Sequence, residues 1–336
     1  FSQILRMKKG LFLLFLLCAV QVKAQFQFNF NDSILVFKNG NPLDLAWAGG
    51  HNNAQLSEID YDFDGDKDLF VFDRSHDQVR LYRHEFLTGQ HFYVADPAAY
   101  FKFPAGLRYR ASCADYNGDG QNDLFCYTIG GLRVYKNTGN ASVGLQWEQY
   151  NNYITSNYNG SHLNLYISSA DIPAIVDVEG DGDLDVLTYH ISGEYLQYHQ
   201  NQSQELYGHS DSLIFELKNS CWGGYREDVT TNGVFLFDTS GPCNGSNVPN
   251  PESPRENAPK AHAGSTVLAL DYDNSGVLDL ILGDVSYTNL MLLINGGSAP
   301  NTNSDMISMN TNFPDNTTPV NMQLFPAGYY VDVDFD

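Results

Sequence analysis

One nine-residue acidic pattern occurs four times and constrains the fold more than any other feature of the chain. It reads Asp60-Tyr61-Asp62-Phe63-Asp64-Gly65-Asp66-Lys67-Asp68, then Asp115-Tyr116-Asn117-Gly118-Asp119-Gly120-Gln121-Asn122-Asp123. The third copy is Asp177-Val178-Glu179-Gly180-Asp181-Gly182-Asp183-Leu184-Asp185. The fourth is Asp271-Tyr272-Asp273-Asn274-Ser275-Gly276-Val277-Leu278-Asp279. A repeat of this kind signals one structural unit copied along the chain, so it is read before any local propensity. The flanks repeat too. An apolar run follows each loop at once (Leu69–Phe72, Leu124–Tyr127, Val186–Tyr189, Leu280–Leu282). After a polar or Gly-rich turn comes a second run (Val79–Tyr82, Leu132–Tyr135, Tyr195–Tyr198, Leu290–Ile294). These runs are short and rich in β-branched and aromatic residues, which predicts strands. Outside the N-terminus no run has a helical period, so the chain is expected to be all-β.

The loop chemistry points to a hard cation. Oxygen ligands at positions 1, 3 and 5 converge when the chain turns tightly, and Gly at position 6 permits the turn. Ca²⁺ takes six to eight oxygens. The candidate side-chain ligands are Asp60, Asp62, Asp64 and Asp68 in the first loop and Asp115, Asn117, Asp119 and Asp123 in the second. They are Asp177, Glu179, Asp181 and Asp185 in the third, and Asp271, Asp273, Ser275 and Asp279 in the fourth. A backbone carbonyl at position 7 (Asp66, Gln121, Asp183, Val277) adds another, and the variety there fits a side chain that is not used. About four Ca²⁺ sites are expected, the fourth weakest because Ser275 is uncharged. Mg²⁺ is less favoured because it keeps its waters. The EF-hand shares the opening of the motif but needs an acid at position 12 between helices. Position 12 is Val71, Cys126, Thr188 and Leu282, so it is excluded.

These loops between short strands resemble FG-GAP/VCBS repeats, which form the β-propeller of integrin α-subunits and of many exported bacterial proteins. Ala46-Trp47-Ala48-Gly49-Gly50 is similar to exported Bacteroidetes proteins of this type. The resemblance implies a β-propeller of four-stranded blades over 25–336, with one calcium loop per blade on one face. The family closes about seven blades, whereas four and the start of a fifth are visible. Asp332-Val333-Asp334-Phe335-Asp336 repeats the opening of the first loop, so an incomplete propeller is expected, the front part of a longer protein. The first Asp residues of the four loops are spaced by 55, 62 and 94 residues, and the long interval predicts an insertion over 205–262.

The chain has 40 acidic and 18 basic residues and a net charge of −22. That balance argues against nucleic acid and anionic membranes as partners. Sixteen of the acids lie in the four loops. Lys8 and Lys9, the apolar run Leu11–Val20 and Val22-Lys23-Ala24 read as a signal peptide over 1–24, cut after Ala24, with 1–6 upstream of the true start at Met7. The run is too short to span a bilayer, and Leu17 before Cys18 argues against lipidation. A secreted or cell-surface location follows. Four cysteines remain: Cys221 and Cys243 would staple a loop, while Cys113 and Cys126 either pair or stay as buried thiols. No nucleophile elbow, zinc-protease helix or phosphate loop occurs, and the histidines lack ligand spacing. The expectation is a non-catalytic adhesion or ligand-binding module for a protein or glycan. A scaffold for a polysaccharide-degrading enzyme, or a lectin, is the alternative.

Overall fold

The computed structural model describes residues 31, 33–43, 45–228, 232–236, 264–300, 305–323, 325–333 and 335. The signal segment 1–24, Cys243 and residues 229–231 and 237–262 of the expected insertion lie outside the described residues. The chain divides into two units, 1–47 and 48–336. In the first, Phe37–Lys38 and Asn41–Pro42 pair as a minimal hairpin. Its turn, Asn39-Gly40, takes positive φ at both residues, as a tight two-residue hairpin requires.

The second unit is all-β, with four small antiparallel sheets arranged as the four blades of a β-propeller. Blade 1 comprises Ala54–Ile59, Asp68–Asp73, Gln78–Leu87 and Gln90–Ala95, each strand bonded to the next in sequence. Blade 2 comprises Ala111–Ala114, Asp123–Thr128, Gly131–Asn137 and Trp147–Asn151, and blade 4 Ser265–Leu270, Asp279–Asp284, Leu290–Asn295 and Met306–Phe313. Blade 3 comprises Ala174–Val176, Asp185–Tyr189, Leu196–Asn201 and Phe215–Asn219. Its last strand also runs parallel to Thr155–Tyr158, which with Ser161–Asn164 forms an added hairpin. Blade 3 therefore extends past residue 205: the first part of the expected insertion is a short helix, Ser203–Tyr207, and this outer strand. A separate hairpin, Tyr225–Asp228 with Gly233–Leu236, follows.

Burial explains why the second strands read as nearly continuous apolar runs. The second strands are covered on both faces; every residue of Asp185–Tyr189 and Asp279–Asp284 is buried. The outer strands Gln90–Ala95 and Trp147–Asn151 are mostly exposed. Between blades the faces interlock. Phe70, Phe72 and Leu81 of blade 1 pack with Cys113, Leu124 and Cys126 of blade 2. Phe125 and Val134 meet Val186 and Phe215, and Leu187 and Tyr198 meet Val267, Leu280 and Leu293. Truncating any of these leucines to Ala costs about 2–5 kcal/mol. The first strands surround a cavity of about 200 Å³ lined by Leu56, Ser112, Ile175, Leu268 and Tyr329. Cys113 and Cys126 are free and buried, and burial pushes the Cys126 thiol up to about 12. Cys221 is disulfide-bonded.

The segment after blade 4 crosses from that blade to blade 1. Thr266 Oγ1 donates to Pro326 O at 3.2 Å, and Asp332 N donates to Glu58 Oε1 at 2.8 Å. Phe335 lies against the rings of His84 and His91. The expected fifth loop thus opens beside blade 1, with Phe335 N donating to Asp332 Oδ1 at 2.7 Å. Asp334 and Asp336 lie outside the described residues.

His199 is fully buried in blade 3, with Nδ1 2.8 Å from Ser156 Oγ and Nε2 without a partner. Burial lowers its pKa to about 3. A depressed histidine contributes stability that is present above about pH 6.5 and is lost as pH falls toward 3. His199→Gln should therefore flatten the fall of stability across that window by about 1.4 kcal/mol per pH unit in urea titrations. An unchanged slope contradicts the assignment.

Candidate metal centre

Each acidic loop joins the first strand of its blade to the second, and its backbone conformation is shared. Position 6 has positive φ in all four copies: Gly65, Gly120, Gly182 and Gly276. So does position 4, where Phe63, Gly118, Gly180 and Asn274 sit. Phe335, at the same place in the C-terminal repeat, matches them at φ 60°. The two left-handed residues fold the loop back over the carboxylate at position 1. Asp60 Oδ2 accepts from Gly65 N at 3.1 Å, Asp115 Oδ2 from Gly120 N at 2.8 Å, and Asp177 and Asp271 do the same for Gly182 and Gly276 at 2.9 Å.

Position 9 has a second role that the ligand pattern alone does not reveal. Asp68, Asp123, Asp185 and Asp279 are at most 1% exposed. In each, Oδ2 accepts the backbone amide of position 2 (Tyr61, Tyr116, Val178, Tyr272) at 2.9–3.3 Å. Oδ1 accepts an amide from the third strand (His84, Asn137, Asn201, Asn295) at 2.7–2.8 Å. The ninth aspartate thus ties loop, second strand and third strand together. Three of the four third-strand partners are asparagine, a recurrence visible in the sequence once the register is known. Asn137 and Asn295 also return a side-chain amide to the carbonyl of position 8.

Positions 1, 3 and 9 converge in three loops. The sets Asp60/Asp62/Asp68, Asp177/Glu179/Asp185 and Asp271/Asp273/Asp279 each bring three carboxylate oxygens within 4.8 Å of one another. In the second loop position 3 is Asn117, which hydrogen-bonds Asp119 instead. Lys136 also lies 3.5 Å from Asp119. Position 5 stands outside the converging sets: Asp64, Asp119 and Asp181 accept the amide two residues on, and Ser275 donates its own amide to Asp271 and Asp273. In two loops the position 7 side chain engages a neighbouring segment. Asp66 Oδ2 meets His84 Nδ1 at 2.7 Å, Asp183 Oδ2 accepts Gln204 N at 3.0 Å, and Val277 is buried.

The donor set fits a divalent cation. Asp62 belongs to the converging set of the first loop, and its Oδ1 is buried without a hydrogen-bond partner, as are Asp66 Oδ1, Gln121 Oε1 and Asp183 Oδ1. A buried oxygen with no donor is costly unless something positive meets it. The charge state agrees. Burial, and then neighbouring carboxylates, push Asp68, Asp123 and Asp183 up to about 7 despite their backbone donors. Burial and then the Glu179 carboxyl push Asp185 further up, and Asp62, Asp181 and Asp279 are raised chiefly by burial.

Residues 115–188, from the second loop to the second strand of blade 3, match the FG-GAP-like repeat family. No curated protein matches the chain. Among solved structures, the chain is similar to an Agrocybe aegerita lectin described as specifically recognising non-reducing terminal N-acetylglucosamine. The identity is 15% and the TM-score 0.37, over 76% of this chain and 50% of that one, so the chain spans about half the length of that structure.

Removing the ninth carboxylate should cost more than removing the first. Asp123→Ala strands two buried amides, an expected loss of about 3 kcal/mol in metal-free protein, whereas Asp115→Ala exposes its loop amides to water and costs about 1 kcal/mol. Denaturant unfolding in EGTA checks the ranking, and equal losses would contradict the tie.

Proposed function

We propose that this chain is an exported, non-catalytic β-propeller whose loops hold Ca²⁺ and whose rigid blades present a binding surface to a protein or glycan, as an adhesion module does. The observation that carries the calcium reading is the convergence of three carboxylates at positions 1, 3 and 9, with Asp62 Oδ1 buried and lacking a donor. Asp60, Asp62 and Asp68 would hold the ion in the first loop, Asp177, Glu179 and Asp185 in the third, and Asp271, Asp273 and Asp279 in the fourth. In the second loop Asp115, Asn117 and Asp123 are the corresponding residues. When bound, the cation supplies positive charge that offsets the clustered carboxylates and cross-links the loop. The residues around it do the rest. The position 1 carboxylate sets the loop's curvature, and the position 9 carboxylate transmits its order to the third strand. Export rests on the N-terminal signal pattern, and the adhesion role on the repeat resemblance. Among the described residues no helix is long and apolar enough to cross a membrane.

Metal-free and metal-bound protein should respond oppositely to pH. Asp68 and Asp123, with folded pKa values of about 7, contribute stability to the metal-free fold that is full below about pH 4 and is lost as pH rises through 7. A cation needs the ionised carboxylates that high pH supplies. Thermal unfolding with EGTA and with millimolar Ca²⁺ should therefore differ little at pH 5 and by many degrees at pH 8, since a ligand bound only to the folded state stabilises it. Coincident curves at pH 8 would overturn the reading.

A further inference from the structure

The cavity between the first strands is separate from the acidic loops and opposite to them in charge. The chain carries 40 acidic residues, yet no Asp or Glu lines this cavity, and its charged lining residue is Arg110. Most of the wall is apolar, with Leu56, Phe125, Ile175, Val267 and Leu268. Tyr330, 75% exposed, also lines it, so the cavity reaches solvent.

One end of the cavity gathers donors that the protein leaves unused. Arg110 stands just before the first strand of blade 2 and is 3% exposed. Its Nη1 donates to Ser168 O at 2.6 Å and Asp171 O at 3.3 Å, and its Nη2 to Gly131 O. Its Nε is buried and has no hydrogen-bond partner. Arg74 grips the same short stretch of chain: Nη2 donates to Ser169 O at 3.1 Å and Ala170 O at 2.9 Å, while Nη1 is buried without a partner. Tyr329, which lines the cavity, has its hydroxyl buried without a partner as well. Gln55, another lining residue, spends Oε1 on Ala111 N at 2.9 Å. Among the described residues neither guanidinium forms an ion pair with a carboxylate. Asp171, whose carbonyl Arg110 holds, spends Oδ1 on Ser265 N at 3.0 Å. Buried donors without acceptors, and a buried charge without a counter-charge, are costly. The acidic loops cannot relieve that cost, because they leave the far ends of the first strands.

We propose that this cavity binds a small monocarboxylate with an apolar body, its carboxylate meeting Arg110 and Tyr329 and its body lying along the apolar wall. A guanidinium N–H and a phenol O–H both donate, and a carboxylate supplies the acceptors and the negative charge that this end lacks. A neutral apolar molecule would leave the donors unmet, and a small inorganic anion would leave the wall uncovered. The size agrees. An apolar cavity of roughly 150 Å³ takes up benzene, so a volume of about 200 Å³ suits one ring with a carboxylate attached.

Titration of the full chain with benzoate, and with benzyl alcohol as its neutral counterpart, tests this by calorimetry and ligand-observed NMR. Benzoate should bind saturably at millimolar concentration and at least about tenfold more tightly than benzyl alcohol, as a charge-assisted hydrogen bond implies. Tyr329→Phe removes a hydroxyl that has no protein partner, so it should leave thermal unfolding unchanged and weaken benzoate several-fold. Ser112→Leu, which fills the cavity from a side chain that makes no hydrogen bond of its own, should abolish binding. Equal affinity for the two probes, no benzoate binding at tens of millimolar, or binding undiminished in both variants overturns the proposal.

Discussion

A single buried carboxylate organises each blade. The aspartate that ends the acidic loop starts the second strand, and it accepts one amide from the loop and one from the third strand. This placement is unfavourable for an ionised group taken alone, because it removes the carboxylate from water. Two short backbone hydrogen bonds offset part of that cost, and the rest shows as the upward displacement of Asp68, Asp123 and Asp185. The blade is thus built around an acid that favours protonation or a cation, and the acidic residues of the loop gather about it. Charge that looks like surface decoration in the composition is in large part held at the loops.

The wedges between blades supply the stability that the loops do not. Blades 1 and 2 share Phe70, Phe72, Leu124 and Cys126, and blades 3 and 4 share Leu187, Tyr198, Leu280 and Leu293. The loops lie at the start of the strands that carry these residues, so the order of a loop is transmitted directly to the core face behind it. Trp222 is buried in one wedge and Trp147 packs against Phe103. The aromatic content is thus used substantially in packing.

Much of this was legible in the chain. The loop pattern placed the second strands to within a residue or two, because an aspartate followed by a buried apolar run admits little else: Val186–Tyr189 became Asp185–Tyr189, and Leu280–Leu282 became Asp279–Asp284. The carboxylates at positions 1, 3 and 9 lie together in the first, third and fourth loops, while position 5 does not join those sets. What stayed hidden has physical causes. The hairpin at 155–164 is polar and exposed, so no periodicity marks it. The left-handed conformation of Phe63 runs against its residue type. Glu205 reaches the third loop only through the fold of the segment between the third and fourth strands of blade 3, and no local pattern encodes that. The outer strand Phe215–Asn219 lay inside a stretch that looked like an insertion because its blade lacks an even repeat length.

Cation uptake by the acidic loops is the property on which the proposed role of the blades depends. Equilibrium dialysis of the full chain against labelled calcium at pH 8 counts them directly. About one ion per acidic loop is predicted. A chain that binds no calcium at millimolar concentration while remaining folded would contradict it.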